Sequence, residues 1–443
     1  MRKMKESGID WIGEIPSDWE VVKVKYLTSQ IGSGKTPKGG SEVYAQTGVM
    51  FLRSQNVYND GLHLDDVVYI DEKTNEEMAS TKVKPYDVLL NITGASIGRT
   101  CMVTKNFQGA NVNQHVCILR PIQEKILPIL FEKIMQSSFI FNQIYSVQNG
   151  SSREGLNFDD IGNLVFTLPH NIEEQQKIAS FLEGKCNNID KAIWLQLKQI
   201  EALKQYKVSV INENVTSGLN NNISMKDSSI NWISKIPQHW QVIKLKFLGE
   251  LNSSGVDKKI VEGEPLYKSI HYVDVYRNSL SEIGDGDEYL VISEKDTKAE
   301  TCKLKIGDVL FTNSSETPED IGHSTVVGGE LENILFGYHL MRFRPNNNMY
   351  LQYEKYLFGC NYVRKWFDFR AKGITRYGIV NDDFSSLLIP LPPLEEQKEI
   401  ADYLDKKCED IDKAISIKQG LIEKLNEYKK SLIFEVVTGK IEI

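Results

Sequence analysis

The chain has 443 residues, too many for one comfortable hydrophobic core, so two to four domains are expected. Hydrophobic residues at 41% and charged residues at 25% are ordinary for a globular chain, and no apolar run approaches the roughly 18–20 residues that span a bilayer. No bilayer-spanning helix is therefore expected, and the cytoplasm is the expected compartment; the net charge of −8 argues against simple polyanion binding, yet permits a local basic surface or a basic partner.

The opening stretch Trp11-Ile-Gly-Glu-Ile-Pro16-Ser-Asp-Trp19 returns as Trp232-Ile-Ser-Lys-Ile-Pro237-Gln-His-Trp240. The alternation Val22-Lys23-Val24-Lys25-Tyr26 that follows it predicts a half-buried strand with a solvated Lys face. Residues 28–167 and 249–390 carry short β-branched and aromatic runs broken by Gly, Asn, Asp and Pro, the pattern of mixed α/β structure with several short strands. These two stretches diverge, but fixed points survive. Asp87-Val88-Leu89 matches Asp308-Val309-Leu310, Ile97-Gly98 matches Ile321-Gly322, Arg153-x-Gly155 matches Arg376-x-Gly378, and Asp159-Asp160 matches Asp382-Asp383. A held scaffold with varied loops is the pattern of one fold reading two different things.

Each half ends in helices. Residues 172–216 and 394–438 are identical at 23 of 45 positions, far above chance for an ungapped run, so the chain is an internal duplication. Asn171 with Glu174 predicts a capping box for the first copy, and Pro393 suits the first helical turn of the second. A break is expected near Gly184 to Asn188. Beyond it Ile189, Ile193, Ile200, Leu203 and Val210, repeated as Ile411, Ile415, Ile422, Leu425 and Leu432, form a heptad seam. Lys207 and Lys429 fall on that seam and are expected to meet a partner's carboxylates. A lone helix about 28 residues long does not bury its stripe, so the two copies are expected to pair antiparallel.

Signs of catalysis are weak. Gly32-Ser-Gly-Lys-Thr36 lacks the glycine five residues before Gly34 that a phosphate loop needs, and Pro37 blocks the following helix; a glycine turn is expected. The histidines form no metal-ligand spacing, and Cys101, Cys117, Cys186, Cys302, Cys360 and Cys408 form no Cys-x-x-Cys pair, so buried reduced thiols are expected. The strongest nucleic-acid signal is the run from Arg364 to Tyr377, where basic residues interleave with aromatics. Trp366, Phe367 and Phe369 are expected to be core, with Gly373 giving a mobile loop.

The Trp-Ile-Gly-Glu-Ile-Pro-x-x-Trp opening, the helix starts in which Leu-Pro is followed two or three residues on by Glu-Glu-Gln, at Leu391 and Leu168, and the closing Val437-Thr438-Gly439-Lys440-Ile441 resemble the specificity subunit of type I restriction–modification systems over essentially the whole length. The resemblance implies an α+β chain of two mixed α/β target-recognition domains separated by an antiparallel pair of long helices. Its boundaries fall at 1–168 and 219–390 for the recognition domains, and at 169–218 and 391–443 for the helical spacers. It further implies a non-catalytic subunit that reads a bipartite site in double-stranded DNA and docks two modification (methyltransferase) subunits and the restriction (translocase/nuclease) subunits. No cofactor is expected in this chain; S-adenosylmethionine, ATP and magnesium are implied on the partners. Polar and basic loop residues are the candidate DNA contacts: Arg53, Gln55, Asn56, Ser96, Arg99, Gln114, Ser152 and Arg153 in the first half, and Lys268, Ser314, Ser315, His323, Arg370, Lys372, Thr375 and Arg376 in the second. The competing reading is a duplicated coiled-coil interaction scaffold without DNA specificity, which the net acidity favours.

Overall fold

The structure is a computed structural model that describes residues 2–148, 155–220, 222–278, 282–284, 288–329, 331 and 333–443. The chain divides into two compact units, Met1–Gln196 with Gln419–Ile443, and Leu197–Lys418. Each unit therefore holds one mixed α/β body, half of one long helix and half of the other.

In the first unit, Trp19–Lys23 pairs antiparallel with Val165–Pro169, so the chain leaves and re-enters the body along one ribbon that delivers it to the long helix. The main sheet is antiparallel, in the order Thr100–Met102, Val88–Asn91, Val116–Pro121, Thr28–Ser33. Its two central strands are buried almost throughout, which is why Val88-Leu-Leu and Val116-Cys-Ile-Leu read as continuous apolar runs rather than alternating ones. A second sheet runs Val68–Ile70, Val49–Leu52, Ala110–Val112, Lys82–Val83. Helices Pro128–Met135 and Ser138–Gln148 pack Leu130, Phe131, Ile134, Phe139 and Ile144 into the core shared with Val88, Leu90 and Leu119.

The second unit repeats the plan. The ribbon pairs Gln241–Lys244 with Leu388–Leu391. The main sheet runs Gly249–Ser253, Leu340–Pro345, Val309–Thr312, Ser324–Val327, with Glu282–Ile283 added at its edge. The smaller sheet runs Leu290–Ser293, Leu266–Ile270, Ile334–Phe336.

Buried charge fixes both scaffolds in the same way. Arg120 grips the fully buried carboxylate of Asp87 through two hydrogen bonds of 2.8 Å, and Arg344 grips Asp308 through two of 2.7 Å. The residue before each aspartate takes a left-handed backbone, Tyr86 at φ 71° and Gly307 at φ 85°, to turn the chain into the strand. The glycine of the Gly-Lys-Thr stretch has a packing reason. A Cβ on Gly34 would lie 1.6 Å from the Val112 carbonyl oxygen, so a close backbone approach, not a phosphate, requires it.

Both long helices run unbroken, Ile172–Ser217 and Leu394–Val437. The break expected near Gly184 is absent: the glycine's cost of about 1 kcal/mol in a helix is outweighed by burial of Leu182 and Cys186 on either side of it. The strand expected over Val22 to Tyr26 ends at Lys23, and Val24–Leu27 forms a helical turn, because Val24 and Leu27 reach the core together at i, i+3.

The helix starts also differ from expectation. Asn171 caps through its side-chain oxygen, which accepts the Glu173 N–H at 2.8 Å, but Glu174 does not turn back to close a capping box. It accepts the Trp19 indole N–H at 3.0 Å and pairs with Arg2 at 2.6 Å. Glu396 likewise accepts from Trp240 at 3.1 Å, with His239 at 2.7 Å. The glutamine that follows is wholly buried in both copies. Gln175 donates to the carbonyls of Pro169 and Lys125 and accepts the Leu127 N–H; Gln397 donates to Pro392 and Asn348 and accepts from Tyr350. The repeated Trp and Glu-Glu-Gln are therefore one device, which clamps each helix start to the body beside it.

In the first unit Ile178, Leu182, Cys186 and Ile189 of the first helix share a core with Leu432, Ile433 and Val436 of the second, running antiparallel. In the second unit Val210, Ile211 and Val215 share a core with Ile400, Leu404 and Cys408. The seam lysines are accounted for inside the chain: Lys429 lies 2.7 Å from Asp190, and Lys207 lies 2.7 Å from Asp412. The carboxylates that the sequence left to a partner stand on the other helix. All six cysteines are buried and free, and burial pushes the thiols of Cys101, Cys117 and Cys360 up to about 12. Among the described residues no helix is long and apolar enough to cross a membrane.

Candidate nucleic-acid interface

The nominated residues of the first unit fall into two groups. Asn56 is fully buried; its oxygen accepts the Arg53 N–H at 2.9 Å, and its amide donates to His63 and Asp66. It shapes the turn and cannot touch a base. Arg53 is bound to Asp66, through the backbone carbonyl at 2.8 Å, and its guanidinium lies over Tyr44. Gln55, Ser96 and Arg99 come together around an open cavity of about 390 Å³, which is also lined by Tyr58, Thr93 and His115. Gln55 is tethered there by Asp66. The Arg99 guanidinium stacks on the Tyr58 ring at 4.5 Å, which holds a long flexible cation in place. Gln114 is exposed beside the same cavity, with its amide 3.0 Å from His115. Ser152 and Arg153 lie outside the described residues.

In the second unit the candidates divide likewise. Ser315 is buried and donates to the Thr317 carbonyl, so it is structural. Ser314 is buried against His339 at 3.0 Å. His323 sits between Asp320 at 3.0 Å and Arg364 at 3.1 Å with its ring against Tyr276; burial first, then Arg364, lowers its pKa. It is a packing residue, not a free contact. Arg370 stacks on Trp366 at 4.6 Å. Lys268 is exposed on a strand of the smaller sheet.

Lys372, Thr375 and Arg376 are brought together at the exposed tip of a hairpin that pairs Lys372–Gly373 with Tyr377–Gly378 and joins Ser314–Ser315 as a third strand. Gly373 gives this hairpin tightness rather than mobility, since a Cβ there would lie 2.0 Å from the Arg376 carbonyl oxygen. Ile374 at the tip is 96% exposed, between the two cations. Phe367 is core as expected, but Phe369 is 69% exposed, edge-on to Trp232.

Sequence reasoning missed His115, His339, Tyr58 and Tyr338. Thr93 Oγ1 meets His115 Nδ1 at 2.6 Å, and Ser314 Oγ meets His339 Nδ1 at 3.0 Å, at matching places in the two units. The chain passes these places by equivalent backbone bonds, Ile92 N–H to the His115 carbonyl and Asn313 N–H to the His339 carbonyl. Burial, with Arg376 and Lys258 nearby, lowers the His339 pKa and so favours the neutral ring. Each unit thus carries a hydroxyl–imidazole pair on its polar face, alongside cations held by aromatic rings or by a tight hairpin. Such a face can bond base edges and phosphates.

Comparison with known proteins gives one consistent result. A family model described as the type I restriction modification DNA specificity domain matches twice, over residues 16–205 and 237–427. A Methanocaldococcus jannaschii protein assigned as the MjaX type I restriction enzyme specificity subunit is 27% identical, over 98% of this chain and 96% of its own length. The EcoKI specificity subunit of Escherichia coli K12 is 24% identical, over 97% of this chain and 90% of its own. Among solved structures, a chain from a study of the assembly and conformational transition of the type I R-M system superposes with a TM-score of 0.71 at 16% identity, covering 96% of this chain and 99% of that one. The HsdS subunit from Thermoanaerobacter tengcongensis gives 0.53 at 16% identity, covering 96% and 98%. At these identities the superpositions speak to the fold.

Proposed function

Since this chain belongs to the type I restriction–modification DNA specificity family, being matched by its model over both halves, we propose that it reads a bipartite site in double-stranded DNA, one half-site per unit. The observation that carries this reading is the duplicated frame with a non-identical polar face. The Asp–Arg grip, the Trp–Glu clamp and the hydroxyl–imidazole pair recur in both units, while the residues displayed beside them differ. A frame conserved for geometry and a face changed in chemistry suit two different half-sites.

The long helices supply the docking surface for two modification subunits under the same reading. Leu195, Leu197, Val208, Ile417 and Leu421 are exposed on them, an apolar display that a helix facing only water does not need. The chain contributes no catalytic group to the assembly; S-adenosylmethionine, ATP and magnesium act on the modification and restriction subunits.

Exchange of residues 249–390 for those of another family member tests the division. The expected result, read by methylome sequencing of the assembled complex, is a change in one half of the methylated site. A change in both halves, or in neither, overturns the reading. Binding of the complex to its site should also weaken steeply with salt, by counterion release; a flat salt response would favour a protein-interaction scaffold.

A further inference from the structure

His115 is held at both ring nitrogens. Nδ1 lies 2.6 Å from Thr93 Oγ1, and Nε2 lies 3.0 Å from the side-chain nitrogen of Gln114. An amide nitrogen only donates, so Nε2 accepts, and the ring proton sits on Nδ1 and goes to the Thr93 hydroxyl. The backbone around the ring is fixed too: Asn113 Oδ1 accepts the His115 N–H at 3.1 Å, and the His115 carbonyl accepts from Ile92. One N–H of the Gln114 amide is thereby used inward. Its oxygen and its second N–H remain on an exposed side chain, next in the chain to His115, which lines the cavity that holds Arg99.

An acceptor beside a donor, in the plane of one amide, complements the major-groove edge of adenine, where N6 donates and N7 accepts. A free glutamine loses rotamer freedom when it makes that pair, a cost that is large for a long polar side chain. Here the imidazole has already restricted the amide.

The second unit contains the same frame without the amide. Ser314 and His339 repeat the hydroxyl–imidazole pair, but the residue before the histidine is Tyr338, its ring 4.4 Å from His339 and edge-on to the buried His271. Tyrosine offers one hydroxyl and an apolar ring, and cannot make the two-bond adenine contact.

Resting on the specificity-subunit reading, we propose that Gln114 reads one adenine of the first half-site through the major groove, with His115 and Thr93 as positioning residues. Tyr338 on the matching frame makes the second half-site different at the equivalent position.

The test uses the full chain assembled with its modification subunits and a library of double-stranded sites, scored for methylation. The half-site read by the first unit is the one left unchanged when residues 249–390 are exchanged. Gln114→Ala should relax a single adenine position of that half-site, with discrimination falling on the order of 10- to 100-fold there and other positions retained. Thr93→Val should relax the same position by less, and Thr93→Ser, which restores the hydroxyl as in the second unit, should recover it. A wild-type motif in Gln114→Ala, or relaxation at a position that is not adenine, overturns the inference while leaving the specificity reading standing. A wild-type complex that methylates without half-site preference removes the specificity reading itself, and this inference with it.

Discussion

Glu132-Lys133 and Glu354-Lys355 are the same dipeptide on matching helices of the two units, and they settle into different states. In the first unit Glu132 accepts the Met102 N–H at 2.8 Å and lies 3.1 Å from Lys133. In the second, Lys355 is drawn to Asp405 at 2.9 Å and Glu282 at 3.2 Å, and Tyr356 donates to the same Asp405. Glu354 is left buried, with one carboxyl oxygen unpartnered, and burial together with nearby Asp308 pushes its pKa well up. The residue at the Asp405 place in the first unit is Glu183, which is exposed. Duplication carried over the residues; the neighbours decided what each carboxyl meets.

The largest expected effect tests what the units share. Gln175→Leu and Gln397→Leu each orphan one backbone N–H and two carbonyls, at about 1–3 kcal/mol per buried group, so each should destabilise its own unit by several kcal/mol. Hydrogen exchange would localise the loss; a large loss in one unit only would break the equivalence of the two clamps.

Glu354→Gln probes where the units differ. Burial raises the Glu354 pKa above its ordinary value of 4.5, so between that value and the folded one the folded chain binds a proton that the unfolded chain has released. The stability from this site is therefore fully present below about pH 4.5 and is lost as pH rises toward the folded value. The glutamine variant should unfold at a higher temperature than the wild type at pH 7, by a few degrees, with the gap closing near pH 4 in a thermal series. Glu132→Gln, whose parent carboxylate has a lysine partner, should show no such gain.

Trp19→Phe and Trp240→Phe remove the indole N–H from a charged acceptor, for a loss on the order of 1.5–3 kcal/mol measured by denaturant midpoint. Equal losses would confirm that Arg2 and His239, the unlike second partners of the two glutamates, are secondary. The smallest effect belongs to the seam. Lys429→Ala or Lys207→Ala should cost no more than about 1 kcal/mol, because both pairs are open to solvent. Lys429→Glu should be corrected by Asp190→Lys; failure of that double reversal to restore stability would show that the pair does not set the register of the two helices.

Much of the plan was legible in the residues. The repeat is visible because copied segments keep their order, and the helix seam is visible because a helix brings residues i, i+3, i+4 and i+7 to one side whatever surrounds it. Half of the polar face was legible too: Gln55, Ser96 and Arg99 meet around one cavity, and Lys372, Thr375 and Arg376 meet on one hairpin. Asn56 and Ser315 look identical to readers in composition, yet both are consumed by backbone groups of their own turns. His115 carried no signal, since the hydroxyl it needs is 22 residues away and arrives only through the pairing of the strands that end at Asn91 and begin at Val116.

By itself, then, the sequence determined the duplication, the α+β class, the paired helices and the family, all of which depend on local periodicity or on residues repeated in order. The tertiary structure alone decided which polar groups are spent and which are free. It gave the seam lysines partners inside the chain, buried Glu354 with one oxygen unpartnered where Glu132 meets Lys133, and set Gln114 against an imidazole. The reason is physical: periodicity is a property of a segment, whereas the state of a hydrogen-bonding or ionisable group depends on what long-range strand and helix register places within about 3 Å of it.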